Sequence, residues 1–90
     1  MWRIWKYELG GPGLELVMMP RVHQILDVQA QNDRIVLWAL VDDTAEPKAE
    51  VWLETIGTGW VVPIDVKAEG YIGTVQAGVY VWHVFQVPEP

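Results

Sequence analysis

The sequence predicts an all-β protein: a small antiparallel sandwich or barrel of about seven short strands with at most one helical turn. Three observations carry this. Valine, isoleucine and threonine fill 24 of the 90 positions, and branched side chains suit the pleated sheet. No segment keeps an apolar stripe at helical spacing for more than about two turns. Glycines, prolines and the one Asn-Asp pair, Asn32-Asp33, punctuate the chain at intervals suited to short strands.

The elements follow in order. Trp2–Leu9 is a first strand, with Trp5, Tyr7 and Leu9 on one face and Trp2, Ile4, Lys6 and Glu8 on the other. Gly10–Gly13 is a loop, because its glycines supply positive φ and Pro12 lacks a ladder donor. Leu14–Met19 is a second strand that Pro20 stops. Ile25–Gln31 alternates, with Leu26, Val28 and Ala30 opposed to Asp27, Gln29 and Gln31. Asn32-Asp33 is a two-residue turn tolerant of left-handed angles. The return strand Arg34–Val41 is apolar on both faces, as a central or interface strand would be.

Asp42–Pro47 is a polar loop, with room for one helical turn near Thr44. Lys48–Ile56 is a strand with Val51, Leu53 and Thr55 opposed to Glu50, Trp52, Glu54 and Ile56. Gly57–Gly59 breaks it. Pro63 confines Trp60–Val66 to an edge strand or an extended loop. Tyr71–Gln76 and Val79–Val87 form a terminal hairpin around Ala77-Gly78, the last strand again apolar on both faces. Residues 1–90 read as one domain, without repeat or linker.

Composition narrows the chemistry. The chain has neither cysteine nor serine, which removes disulfides, thiolate zinc ligands and Ser or Cys nucleophiles. Two histidines and scattered carboxylates form no nucleophile–base–orienter set, so no catalytic residue, metal or cofactor is assigned and an enzyme is not expected. The net charge of −6 opposes binding to bulk nucleic acid. No apolar run reaches the ~18 residues that span a bilayer, and residues 1–9 lack the apolar core of a signal peptide. No membrane association is expected, and the cytosol is the expected compartment.

Ile4–Leu9 (IWKYEL), Met19-Pro20, Ile25–Gln31 (ILDVQAQ), Leu37–Asp42 (LWALVD), Gly57–Gly59 (GTG), Tyr71–Thr74 (YIGT) and His83–Phe85 (HVF) together resemble a family of small proteins. These are encoded by tailed bacteriophages and prophages and are known as a domain of unknown function. The resemblance spans the whole chain and implies an accessory protein acting in the cytoplasm of an infected bacterial host. It implies no activity and no site residues. Gly10–Gly13 and Trp60–Glu69 depart from the pattern, so partner specificity housed there would differ.

Six tryptophans are the strongest local oddity. Trp5, Trp38 and Trp82, among apolar neighbours, suit a core or a subunit interface. Trp2, Trp52 and Trp60 sit where a partner could meet them, and Trp38, Trp52 and Trp82 are the candidate interface residues. An aromatic pocket on which a base stacks is the functional alternative. Gly57, Thr58 and Gly59 could form a phosphate-cradling nest or merely a bulge or tight loop. Arg21 and His23 would share one face of an extended segment and suit an anion. His83 reads as a core histidine bonded to backbone or carboxylate, or as a ligand-binding group. With Trp60, these are the candidate ligand-binding residues.

Three roles follow. One is a phage counter-defence protein that sequesters a small anionic or nucleotide-type immune signal, as a homo-oligomer able to build a deep pocket. Another is an acidic inhibitor of a basic host defence protein, acting through Glu46–Glu54. The third is a minor virion or assembly component.

Overall fold

The computed structural model describes residues 1–90 as seven strands: β1 Trp2–Glu8, β2 Gly13–Met19, β3 His23–Gln31, β4 Arg34–Asp42, β5 Ala49–Gly57, β6 Tyr71–Ala77 and β7 Tyr80–Val87. They form two antiparallel sheets, ordered β1-β4-β3 and β2-β5-β7-β6. The all-β expectation is therefore met.

The faces of the first sheet follow the alternation. Trp5, Tyr7 and Leu9 turn inward, and β4 contributes the buried Ile35, Leu37, Ala39 and Val41. Facing them are Val51 and Leu53 of β5, Met19 of β2 and Val84 of β7. The second apolar face of β4 points outward, and Val36 stays buried there because β1 and β3 flank it. The Tyr7 hydroxyl is buried without a hydrogen-bond partner, and burial raises its pKa above the usual value.

The β3–β4 hairpin turns on Asn32 and Asp33, with φ of 53° and 61°. Two positive angles in a two-residue loop match the right-handed twist of the flanking strands. Two local expectations are corrected. A bulge between Ile25 and Asp27 breaks the period of β3, so Ile25 packs on the core while Leu26 is exposed. Residues near Thr44 form a single hydrogen-bonded turn, in which the Asp42 carboxylate accepts bonds from the Thr44 amide and hydroxyl. The one helical turn lies instead at Ala68–Gly70. Trp60–Val66 is a loop, one of the two forms that Pro63 allowed.

The two sheets meet closely where β3 faces β6. A second bulge lies between Tyr71 and Gly73, and a Cβ on Gly73 would stand 2.6 Å from Val28 Cγ1. Glycine is required here by the close approach of two strands rather than by its backbone angles.

Candidate functional site

β5 ends at Gly57, and the chain reverses at once. The Trp60 amide donates to the Gly57 carbonyl at 3.1 Å, and Gly59 has φ of 88°. That is a type II turn, whose third position needs glycine. The turn folds the Trp60 indole back over Gly57, where a Cβ would fall 2.7 Å from the ring. Gly57 thus provides the seat and Gly59 the bend.

Across from this turn, β7 presents Tyr80 and Trp82 two residues apart, hence on one face. Trp60 and Trp82 meet edge to face, with ring centroids 5.4 Å apart and planes at 86°. Tyr80 leans on Trp82 at 5.5 Å. Gly57, Thr58, Trp60 and the hairpin residues Val79–Trp82 line an open cleft of about 300 Å³. A second cleft of about 270 Å³ lies beyond Tyr80 and Trp82, walled by Gly10–Pro12, Asp33 and Arg34. A third, of about 190 Å³, runs along Trp60, Val62, His83 and Phe85.

His83 is half-buried on the outward face of β7 and is bonded through both ring nitrogens. Nε2 pairs with Thr58 Oγ1 at 2.6 Å and Nδ1 with Thr74 Oγ1 at 3.0 Å. The chain continues from Thr74 to the Tyr71 hydroxyl at 2.6 Å. The partners are therefore hydroxyls, where the sequence suggested backbone or carboxylate. This network ties the Gly57–Trp60 turn to β6 and β7.

The charge around the clefts is sparse. Arg34 is the one cation lining them, and it is bonded to Glu8 at 2.6 Å. In the Gly57–Gly59 segment the Thr58 amide already donates to Val81 and the Trp60 amide to Gly57. A phosphate nest would need several free amides, so the segment serves as a tight turn. Apolar and aromatic surface is what the clefts offer.

The structure brings together Gly57, Thr58, Gly59, Trp60 and His83, with Trp82 beside them. It does not bring Arg21 and His23 there. Met19, just before them, pairs with Ala49, eight residues from Gly57 along β5 and so roughly 26 Å away. Arg21 Nε donates to the Glu46 carbonyl. His23 is half-buried, with Nδ1 2.8 Å from the Pro20 carbonyl oxygen.

The three interface candidates occupy three separate surfaces. Trp38 faces outward on the first sheet, donating to Gln29 at 2.9 Å with the Lys6 ammonium 6.0 Å from its ring. Trp52 faces outward on the second sheet, its Nε1 buried without a partner. Trp82 belongs to the aromatic end. Tyr71, Thr74 and Tyr80 are site residues that sequence reasoning missed. The spacing of Tyr80 and Trp82 was a usable signal for one of them.

No three histidine, aspartate or glutamate side chains stand together as a metal site would require, and no helix is long and apolar enough to cross a membrane. The chain belongs to a family described as a domain of unknown function (DUF7352), whose model matches residues 1–90. Neither a curated protein nor a solved structure matches it.

Proposed function

For this member of the DUF7352 family we propose a non-catalytic binding role, in which the aromatic end seats the planar base of a nucleotide-type ligand. The observation that carries it is the cleft between Trp60 and the Tyr80–Trp82 pair. Stacking of a base on an aromatic side chain contributes about 1–3 kcal/mol, and Trp60 leaves 52% of its surface open for it. Thr58 lines the cleft with its hydroxyl bonded to His83 Nε2 and the Val81 carbonyl, which leaves one oxygen lone pair to accept from a base edge. With the only lining cation already paired, the phosphates of such a ligand stay in water and recognition rests on the base. The phage resemblance supplies the setting: sequestration of a host immune signal in the cytoplasm of an infected bacterium.

Calorimetric titration with cyclic and ADP-ribose-derived nucleotides tests the reading. Saturable heat, loss of that heat in Trp60→Ala, and recovery of the nucleotide unaltered would support it. No heat across the panel would overturn it.

One observation favours a second reading, a protein partner. Val79, which lines the cleft, is 86% exposed, and Val61 and Ile64 in the loop that follows Trp60 are 93% and 84% exposed; exposed apolar surface of this kind marks interaction sites. Pull-down from host lysate distinguishes the two. A stoichiometric protein retained by the parent chain and lost from Val79→Asp would favour the second.

A further inference from the structure

Sheet edges carry unpaired backbone groups, and proteins normally guard them with charge, bulges or cover. Three of the four edges here are guarded. β1 interleaves Lys6 and Glu8 with the exposed Trp2 and Ile4 on its outward face, so that charge interrupts its apolar stripe. β3 and β6 each carry a bulge and lie against one another at Val28 and Gly73.

β2 is the exception. It is seven residues long, pairs with β5 without a register shift and is the last strand of its sheet. Its outward residues are Leu14, Leu16 and Met18, exposed by 47%, 40% and 45%. None of the backbone bonds outside the ladders reaches β2, and its one charged residue, Glu15, is bonded to the Gly10 amide. Beside Leu16 on the same face stands Trp52.

We propose that the free edge of β2 is a homodimer interface, in which a second copy adds its own β2 antiparallel about a two-fold axis at Leu16. The apolar Leu14–Leu16–Met18 stripe is complementary to itself about Leu16, which favours a second copy, and the charge pattern selects the register. Centred on Leu16, all seven residues overlap, Leu14 meets Met18, and Glu15 faces Val17. Centred on Glu15, two carboxylates would oppose one another, and like charges directly opposite are destabilising. Centred on Val17, the strands overlap less and Glu15 meets Met19. The Leu16 register joins two four-stranded sheets into one of eight strands and makes one apolar stripe across the axis, as an isologous contact requires. Trp52 flanks the axis in both copies. This interface is independent of the aromatic cleft, which lies on other strands.

The cysteine-free chain allows a register-specific test. Opposed Cα atoms in an antiparallel pair lie about 4.5 or 5.5 Å apart, within the range of about 4.4–6.8 Å that a disulfide spans. The parent chain should sediment as a dimer. Under mild oxidation Leu16→Cys should cross-link to a covalent dimer, whereas Leu14→Cys alone should not. The double variant Leu14→Cys/Met18→Cys should link, and Ile4→Cys on β1 should not. Leu16→Lys should sediment as a monomer at concentrations where the parent is dimeric. Should that variant lose its circular-dichroism strand signal, the cysteine pattern decides. A parent chain monomeric at every concentration would overturn the proposal. So would a dimer that ignores Leu16→Lys and cross-links through Ile4→Cys, or a lysate protein that displaces the second copy from β2.

Discussion

The edge of one indole rests on the face of another: Trp60 and Trp82 meet at 5.4 Å with their planes 86° apart. One ring belongs to a loop and is half exposed; the other belongs to β7 and packs on the core. The pair thus joins a rigid wall to an accessible surface, and such edge-to-face pairs contribute about 0.5–1.5 kcal/mol beyond area burial.

Removing the two rings should therefore have different consequences. Trp60→Ala should leave the fold within about 1–1.5 kcal/mol of the parent, chiefly the loss of the aromatic pair, while abolishing ligand heat. Trp82→Ala should cost more, about 2–4 kcal/mol, because it opens a cavity beside the core. Urea melts of the two variants, read against their calorimetric titrations, check the separation.

Gly73 and Gly70 make a graded pair. Gly73→Ala drives a methyl to 2.6 Å from a Val28 side-chain carbon, whereas Gly70→Ala would place one 2.1 Å from the Gln86 carbonyl oxygen. The first is overpacking against a side chain, worth about 1–3 kcal/mol, and Val28→Ala should relieve part of it. The second meets backbone and should cost more, with no relief from that change. Thermal melts of the single and double variants give the comparison.

Thr58 and Gly59 hold the turn that carries Trp60. Thr58→Val removes the partner of His83 Nε2 and should cost about 1–3 kcal/mol for the half-buried group left unpaired. Gly59→Ala forces φ of 88° on a residue with a Cβ and should cost about 1 kcal/mol or more. Both should weaken ligand binding by loosening the seat of Trp60, measured by melts and titration together.

Two sets of carboxylates act in opposite directions with pH. Burial raises Glu54 above its usual value of 4.5. Just above that value the unfolded chain has released a proton that the folded chain keeps, so this contribution falls as pH rises through the folded pKa. Asp42 and Asp43 are held below 3.8, the first chiefly by the Thr44 hydroxyl and the second by the Arg3 guanidinium. Their contribution is present above 3.8 and lost as pH falls through the folded values. Glu54→Gln should raise Tm at neutral pH, and Asp43→Asn should lower it there but not in acid. Tm against pH for the three proteins checks both signs.

The sheets were legible because their signals are local. Alternation in Trp5–Leu9, the doubly apolar β4 and the Asn32-Asp33 turn depend on neighbours two residues apart. The bulges at Leu26 and Ile72 were not, since an extra residue is admitted where β3 and β6 must approach, and that approach joins segments distant in sequence. The same division holds for the site. Gly57–Trp60 stood out as a break before an aromatic. Its meeting with Tyr80 and Trp82, the hydroxyls around His83, and the remoteness of Arg21 and His23 all depend on register between strands.

Ligand entry at the Trp60–Trp82 end, as proposed, can be read from the six indole N–H resonances, which report on it individually. In a nitrogen–proton correlation spectrum of the labelled chain, titrated with the nucleotide that gives heat, the Trp60 and Trp82 signals should move together and saturably. Those of Trp2 and Trp38, on the opposite sheet, should stay in place. Shifts confined to Trp2 and Trp38, or saturable heat with Trp60 unmoved, would contradict the account.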